Sequence, residues 1–373
     1  MKPSPVLAAM AQYPFTRLTE AKRQLAAAGV EIIDFGIGEP RERTPDFLRE
    51  AVARSIEPTS AYPVAEGLAE LRASAAGWVG RRFGVDLDPG REVIPTLGSK
   101  EAIFHLPQVV GGDLVAVTTP GYPVPARGAL FAGKQVLELP LAPGHGFLPD
   151  LDAVPADTWA RVGLLWLNYP NNPTAAVAPL SLYEHAAALA REHDFLLASD
   201  EAYSEIYFGD DPPVSALQVA DRTNVVALNT LSKRSAMAGF RSGFVAGDPE
   251  AIALLKAYRP NVGVAPQDFI QRVAALAWDD EDHVVAMRAI YAAKREVLLD
   301  ALGAIGVEHA GGDATMFLWL AGAEPLAADL LEQGVVLAPG SFFGPGGEGF
   351  ARLALVPSLE VCERAGALIR SRA

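Results

Sequence analysis

The stretch Asn229-Thr-Leu-Ser-Lys-Arg-Ser-Ala-Met-Ala-Gly-Phe-Arg241-Ser-Gly-Phe244 follows an apolar run and places one lysine, Lys233, among hydroxyl-bearing and small residues. An apolar run that ends in polar residues is typical of a buried parallel strand. A lysine at such a strand end can lose hydration, which lowers its pKa and makes the neutral amine available as nucleophile or base. Thr230, Ser232 and Arg241 add two hydroxyl donors and a planar cation, which are groups that bind phosphate. Taken alone, the segment could also be a surface loop with an incidental lysine.

Two other segments have the same form, an apolar run followed at once by polar residues. They are Leu164-Leu-Trp-Leu-Asn168-Tyr-Pro-Asn-Asn172-Pro-Thr174 and Phe195-Leu-Leu-Ala-Ser-Asp200-Glu-Ala-Tyr203. Because ligands of open α/β sheets bind at the carboxyl ends of the strands, these polar residues predict one shared site. A buried carboxylate at Asp200 would be costly unless a cation, such as a pyridinium nitrogen, paired with it. Asn172 and Tyr203 can both donate hydrogen bonds to a phenolic oxygen.

With these segments, the chain resembles the fold-type I, pyridoxal-phosphate-dependent aminotransferases of class I and II. The resemblance extends over nearly the whole chain, from Phe35-Gly-Ile-Gly38-Glu-Pro40 to Phe350-Ala-Arg352-Leu-Ala-Leu355. It implies that Lys233 binds pyridoxal 5'-phosphate covalently and moves a proton between the substrate α-carbon and the cofactor. It also implies that Asp200 keeps the pyridine nitrogen protonated, so that the ring accepts electrons.

The same resemblance implies roles for residues nearer the amino terminus. Gly98, Ser99 and Lys100 stand at a strand-to-helix transition, where backbone N–H groups can bind the cofactor phosphate, although an ordinary βα turn has the same pattern. Tyr122 matches the aromatic residue that stacks on the cofactor ring, although an aromatic in a proline-rich loop is the alternative. Tyr62 resembles the tyrosine that reaches the phosphate of the neighbouring subunit, which implies a homodimer with shared active sites.

The remaining positions concern the cofactor ring oxygen and the substrate. Asn172 and Tyr203 would bind the ring oxygen, and Arg352 would bind the substrate α-carboxylate, with the backbone of Gly38 close to the same group. Arg352 interrupts an apolar strand, where a buried guanidinium needs an anionic partner; a solvent-facing arginine is the alternative. The family usually has glycine where this chain has Ala175, so the local turn is expected to differ.

Composition favours a globular enzyme without metal. The chain has 373 residues, half of them hydrophobic, and its apolar runs are too short for a transmembrane helix. The amino terminus lacks the apolar core of a signal peptide, and the single cysteine, Cys362, excludes an intramolecular disulfide. We therefore expect a cytoplasmic protein, with Cys362 as a packing residue. The histidines show no metal-ligand spacing, and a net charge of −14 argues against nucleic acid and anionic membranes as partners.

Alternating strands and helices predict an α/β fold with a mostly parallel seven-stranded sheet, helices on both faces and a smaller α+β domain. The predicted strands of the sheet are Glu92–Thr96, Leu114–Thr118, Gln135–Leu139, Val162–Asn168, Phe195–Ser199, Val225–Asn229 and Gly243–Ala246. The last of these follows too closely for a helical crossover and should be antiparallel. Helical periodicity covers 267–304. We expect residues 1–43 to pack with the small domain, 44–275 to form the large cofactor-binding domain, and 276–373 to form the small domain.

The implied activity is amino-group transfer between an amino acid and a 2-oxo acid. The phrase Tyr13-Pro-Phe-Thr-Arg-Leu18, followed by Gly38-Glu-Pro40, resembles bacterial succinyldiaminopimelate aminotransferases of lysine biosynthesis, which favours N-succinyl-LL-diaminopimelate and 2-oxoglutarate as substrates. Aspartate aminotransferase, LL-diaminopimelate aminotransferase and a pyridoxal-phosphate β-lyase are the alternatives. A cofactor-sensing regulator would need a DNA-binding extension, and the chain begins directly with the enzyme fold. Arg17 and Lys100 are the candidates for the distal carboxylate of a long substrate.

Overall fold

The computed structural model describes residues 1–9 and 15–371. Its strands, numbered in chain order, are β1 Ile33–Asp34, β2 Val93–Thr96, β3 Leu114–Thr119, β4 Gln135–Pro140, β5 Val162–Asn168, β6 Leu196–Asp200, β7 Val225–Thr230, β8 Gly243–Gly247, β9 Phe317–Leu320, β10 Val335–Val336, β11 Ala338–Pro339 and β12 Ala351–Ala354. Its α-helices are α1 Pro5–Ala9, α2 Phe15–Ala27, α3 Asp46–Ser55, α4 Ala69–Phe83, α5 Ser99–Val109, α6 Val124–Phe131, α7 Ala156–Trp159, α8 Leu180–His193, α9 Leu231–Arg234, α10 Pro249–Val262, α11 Asp268–Asp279, α12 Asp282–Ala304, α13 Glu324–Glu332 and α14 Leu359–Arg370.

The large sheet contains, over the described ranges, seven strands in the order β2-β8-β7-β6-β5-β3-β4. Strand β8 runs antiparallel to both β7 and β2, whereas the pairs among β3 to β7 are parallel. The predicted antiparallel member and the α/β fold class are therefore confirmed. The central strands are buried almost throughout, as their apolar sequences predict, because helices cover both faces of such a sheet.

A smaller region holds the carboxyl-terminal strands together with part of the amino-terminal segment. Strand β12 pairs antiparallel with β9 and β11, and β1 pairs parallel with β10. Ile33 and Phe35 pack in the same apolar core as Leu298 and Cys362, which confirms Cys362 as a packing residue. The domain limits after residues 43 and 275 stay predictions. No helix within the described ranges is both long and apolar enough to span a bilayer.

Two helix starts differ from the sequence expectation. The helical periodicity predicted over 267–304 is divided between two helices, because α11 ends at Asp279 and α12 begins at Asp282. The carboxylate of Asp280 accepts the backbone N–H of His283 at 3.1 Å, which satisfies a donor that would otherwise be free at the start of α12. The pair Thr44-Pro45 predicts an N-cap and first turn for a helix that ends at Ile56, but Thr44 does not cap α3; its hydroxyl donates to the carbonyl of Ala236 at 2.7 Å.

Candidate active site

A cavity of about 880 Å³ opens at the carboxyl ends of β5, β6 and β7, beside strand β12. The strand register explains why the polar residues at these strand ends lie close together, because Asn168 lies opposite Asp200, and Asp200 lies opposite Leu228. Most residues expected to form the site line this one cavity, namely Gly38, Ser99, Lys100, Tyr122, Asn172, Asp200, Tyr203, Thr230, Ser232, Lys233, Arg241 and Arg352.

Lys233 lies in the short helix α9, immediately after β7. Its Nζ donates to the carbonyl oxygen of Gly38 at 2.6 Å. Burial lowers the pKa of Lys233 to about 8, and the nearby Arg352 acts in the same direction, while Glu39 and Asp200 oppose the shift. A lysine with this pKa has a substantial neutral fraction near neutral pH, so it can act as a nucleophile and as a base.

Asp200 ends strand β6 and is only 7% exposed. Burial raises its pKa to about 6, against an opposing hydrogen bond from the Ala202 N–H at 3.3 Å and the charge of Lys233. No salt bridge to Asp200 occurs among the described residues. A buried carboxylate in this state is stabilised when a cationic ligand pairs with it. The position therefore fits the protonated ring nitrogen of pyridoxal phosphate.

Arg352 and Asn172 form one rigid unit at the other wall. Arg352 is 3% exposed, which rules out the solvent-facing alternative. Its Nη1 donates to the Asn172 amide oxygen at 2.8 Å, and its Nη2 donates to the Gly36 carbonyl at 2.8 Å. The guanidinium carbon lies 4.2 Å from the ring centre of Phe317 and 4.6 Å from that of Phe343. Because the Asn172 oxygen is engaged by Arg352, its amide nitrogen is the atom that can donate to a ligand.

Gly98 and Arg241 meet at the amino-terminal end of α5. Gly98 has φ of 70°, and a Cβ there would lie 2.7 Å from Arg241 Nη2, so glycine is needed for both conformation and space. Arg241 donates to the carbonyls of Leu97 at 3.0 Å and Ala238 at 2.8 Å. These bonds hold the guanidinium over the start of α5. Gly98 does not line the cavity itself, but it permits this close approach.

The first N–H groups of α5, at Ser99 and Lys100, have no intrahelical acceptor and suit an anion. On the facing side, the Thr230 hydroxyl accepts the Ser232 N–H at 3.2 Å, which caps α9. The same hydroxyl lies 2.9 Å from both Ser232 Oγ and the Ser242 carbonyl. Thr230 therefore shapes the loop, and the hydroxyl proton of Ser232 can be donated to a ligand. These donors and Arg241 fit a phosphate.

Tyr203 and Tyr122 complete the walls. Tyr203 is 6% exposed, and burial raises its pKa well above the usual value, so the phenol stays protonated and can donate. Its ring centre lies 5.9 Å from Lys233 Nζ and makes an edge contact with Phe317 at 5.3 Å. Tyr122 is half-buried and lines the same cavity.

Several expected residues lie elsewhere. Tyr62 is 98% exposed and does not line the cavity. Arg17, a candidate for the distal carboxylate, is exposed and does not line it either, whereas Lys100 does. Tyr13, which carried part of the subfamily resemblance, lies outside the described residues.

One group of residues at the cavity wall was not predicted from the sequence. Thr16 and Thr19 reach it from α2, Phe343 reaches it from a 3-10 helix, and Glu39 directly follows Gly38. None of the first three belongs to a strand-end segment; Thr16 lies in the phrase Tyr13-Pro-Phe-Thr-Arg-Leu18, but that phrase does not show which side chains face the cavity. Glu39 could have been found, because it lies between Gly38 and Pro40 in a segment that was already singled out.

Ala175 shows how the expected departure is accommodated. It has φ of 60° and is fully buried, so the chain adopts the left-handed conformation that favours glycine. Its N–H donates to the Asn171 carbonyl at 2.9 Å, and the Ala176 carbonyl accepts the Asn171 N–H at 2.8 Å. The closed turn keeps Asn172 at the cavity despite the alanine.

Together, the fold and the site define an aminotransferase that depends on pyridoxal 5'-phosphate. Comparison with known proteins agrees: the aminotransferase class I and II family matches residues 30–368, and the chain belongs to that family.

Similar proteins include enzymes with three different names. The LL-diaminopimelate aminotransferase of Nitratidesulfovibrio vulgaris (strain DSM 19637 / Miyazaki F) is 39% identical, with 96% of each chain covered. A probable N-succinyldiaminopimelate aminotransferase from Thermus thermophilus superimposes with a TM-score of 0.89 at 34% identity, over 96% of this chain and 100% of that one. A single mutant of the Thermus thermophilus aspartate aminotransferase has a TM-score of 0.91 at 29% identity, with both chains fully covered.

Proposed function

We propose that this enzyme transaminates LL-diaminopimelate against a 2-oxo acid such as 2-oxoglutarate, in lysine biosynthesis. The observation that carries the proposal is the pair of opposite charges in the cavity, Arg352 and Glu39. One amino-acid end of the substrate gives its carboxylate to Arg352 and its amino group to the reaction. The other end presents an ammonium group to Glu39 and a carboxylate to Lys100. The LL-diaminopimelate aminotransferases similar to this chain support the same choice.

The chain's own residues then divide the work. Pyridoxal phosphate supplies an electron-accepting ring when bound. Lys233 anchors it and moves the proton from the substrate α-carbon, and Asp200 holds the ring nitrogen in its charged state. Arg352 fixes the α-carboxylate through two parallel N–H donors, so the Cα–H bond points at Lys233. Asn172 and Tyr203 donate to the ring oxygen.

The test is a panel of amino donors given to the purified enzyme with 2-oxoglutarate, read as glutamate formed. We expect the highest kcat/KM with LL-diaminopimelate, and lower values with its N-succinyl derivative and with aspartate. Pyruvate released without any acceptor would instead mark a β-lyase. Absence of turnover with every donor, together with unchanged cofactor absorbance, would favour a cofactor-sensing protein.

A substitution at Glu39 distinguishes between LL-diaminopimelate and its N-succinyl derivative as the amino donor. Glu39→Gln removes a charge facing the ammonium group, so KM for LL-diaminopimelate should rise about fivefold, as expected for a partly exposed charge pair of about 1 kcal/mol. KM for N-succinyl-LL-diaminopimelate, whose nitrogen is acylated and whose added group is anionic, should stay level or fall. Glu20→Gln is the matched control, since Glu20 pairs with Arg23 on the exposed side of α2. Equal changes for both donors would contradict the role of Glu39.

N-succinyl-LL-diaminopimelate is the second candidate substrate. It is favoured by the resemblance of the amino-terminal phrase and by similarity to the Thermus thermophilus protein of that name. In that case, Lys100 would bind the added carboxylate from the cavity wall. A kcat/KM with the succinylated donor tenfold above that with free LL-diaminopimelate would decide for this candidate.

We also propose a homodimer in which Tyr62 completes the site of the other subunit. Tyr62 is an aromatic residue fully exposed on a loop that is firmly held. Arg259 Nη1 donates to the Ala65 carbonyl, and Gln271 Oε1 accepts the Leu68 N–H, both at 2.7 Å. Mixing inactive Tyr62→Ala and Lys233→Ala variants should restore part of the activity, because one hybrid site is then complete. An active monomer in sedimentation would contradict the dimer.

A further inference from the structure

Behind the cavity, three side chains form a continuous hydrogen-bonded chain. Ser235 Oγ lies 2.9 Å from His283 Nε2, and His283 Nδ1 lies 2.5 Å from Asp280 Oδ1. Hydrolases use the same three residue types, but their serine must reach the substrate. Ser235 is fully buried and the side chain of His283 is 6% exposed, so a nucleophilic role is excluded here. The three residues can therefore affect the reaction only by holding neighbouring groups in position.

The two ends of this hydrogen-bonded series lie in different parts of the molecule. Ser235 is the residue directly after α9 and lies two positions beyond Lys233. His283 and Asp280 belong to the junction of α11 and α12, a few residues after the predicted limit of the large domain at residue 275. The hydrogen bonds therefore connect the helix of the reactive lysine to that junction.

A second link runs beside the first. Arg234 follows Lys233 directly and is 1% exposed. It donates to the Ala277 carbonyl at 2.9 Å and to the Glu281 carboxylate at 2.8 Å. Its guanidinium carbon lies 4.7 Å from the ring centre of Trp278. Two consecutive residues after the lysine thus bind the same junction, while the lysine itself points the opposite way, into the cavity.

We propose that Ser235, His283 and Asp280 are positioning residues that hold α9 against the α11–α12 junction and thereby fix Lys233 Nζ in the cavity. The proposal rests on the role proposed for Lys233. A helix of four residues cannot hold its own orientation by internal hydrogen bonds, so external anchors decide where the amine lies. Misplacement of a reacting group by about 1 Å can cost on the order of a hundredfold in rate.

The direction of the hydrogen bonds follows from the charges around His283. Asp280 accepts the ring Nδ1–H, so neutral His283 presents Nε2 as an acceptor for the Ser235 hydroxyl. Burial, with Arg234, lowers the pKa of His283 below its ordinary 6.5, whereas Asp280 and Asp282 oppose the shift. The histidine is therefore neutral at pH 7. Its protonation at lower pH makes Nε2 a donor, so the hydrogen bond to Ser235 Oγ reverses direction and the Ser235 proton must find another acceptor.

The first test removes one hydroxyl. Ser235→Ala should lower kcat about tenfold, while KM for the amino donor changes less than twofold, because Arg352 is untouched. In the cofactor-free protein, the pKa of Lys233 should rise from about 8 toward 10.5, since a loosened lysine regains water. The pH dependence of its reductive methylation, followed by mass spectrometry, measures this. Ser74→Ala is the control, because Ser74 Oγ donates to the adjacent Asp279 at 2.8 Å without touching α9.

The second test exchanges the histidine. His283→Gln keeps an acceptor for Ser235 and cannot titrate, so it should retain most of kcat and lose an inflection below pH 6.5 in the pH profile. His283→Leu should behave like Ser235→Ala; if it does not fold, the other two variants decide. Unchanged kcat and unchanged Lys233 pKa in Ser235→Ala would overturn this proposal alone. An active Lys233→Ala enzyme would instead overturn the proposed function.

Discussion

The end of the cavity where we propose that the cofactor binds, called the cofactor end, and the end where we propose that the substrate binds, called the substrate end, are built differently. At the cofactor end, Asp200 and Lys233 come directly from the ends of adjacent strands of one sheet, where the register determines which side chains meet. At the substrate end, Thr16 and Thr19 of α2, and Glu39 of an irregular segment, come from outside that sheet. Asp200 is held by the ladder hydrogen bonds and core packing of its strand, and the helix of Lys233 is anchored by hydrogen bonds to the α11–α12 junction, whereas these wall residues belong to single elements outside the sheet.

This difference indicates which residues can change the substrate preference without loss of the transamination reaction. A substitution at Glu39 or Thr19 alters a wall that no strand of the large sheet supports, so the reaction centre can stay intact. A substitution at Asp200 alters a group whose burial already shifts its pKa to about 6, and under the proposed role it should lower the rate with every amino donor. The three similar proteins carry names that refer to different substrates, as this division would allow.

The largest effect is expected at the cofactor end. Lys233→Ala removes the covalent anchor and the proton carrier together, and proton transfer alone contributes about 10²–10⁴-fold to rate. Every amino donor should lose activity to the same extent, because the loss precedes substrate choice. The measurement is kcat for LL-diaminopimelate and aspartate, with Lys256→Ala as the control, because Lys256 is half-buried, does not line the cavity and donates to the Gly90 carbonyl. Turnover within tenfold of the parent enzyme would contradict the assignment.

A smaller effect, limited to the substrate end, is expected for Arg352→Lys. The variant keeps the charge but loses the planar fork that binds a carboxylate with two N–H groups. We expect KM for amino donors to rise by about tenfold to a hundredfold, in line with about 1.5–3 kcal/mol for hydrogen bonds to charged groups. Cofactor affinity should change less than threefold.

Arg241→Lys is the matched opposite. It should weaken cofactor binding and leave donor KM nearly unchanged, because Arg241 lies at the start of α5 rather than at β12. Equal losses of donor and cofactor binding in both variants would mean that the two ends are not separable. That outcome would contradict the distinction between the cofactor end and the substrate end.

What could be predicted from the sequence follows the same division. The strands around Lys233, Asp200 and Asn172 were predictable because an apolar run and its polar end are adjacent in the sequence. Thr16 and Thr19 were not, because an amphipathic helix shows which residues are polar but not which cavity they face. The break between α11 and α12 was missed because a capping carboxylate at Asp280 does not interrupt helical periodicity.

The smallest effect should come from Ala175→Gly, because Ala175 lies in the turn that keeps Asn172 at the cofactor end. Left-handed backbone costs alanine about 1–2 kcal/mol relative to glycine. Glycine loses about 0.4–1 kcal/mol through its freer unfolded chain, and the buried methyl is worth about 0.8 kcal/mol. These contributions nearly cancel, so the free energy of unfolding should change by less than about 1 kcal/mol, and kcat by less than twofold.

Ala175→Val is the contrast, because a β-branched residue suits φ of 60° poorly and should destabilise clearly. Thermal unfolding of both variants checks the order. A glycine variant that melts as early as the valine variant would show that the alanine methyl, rather than the turn, holds Asn172 at the cofactor end.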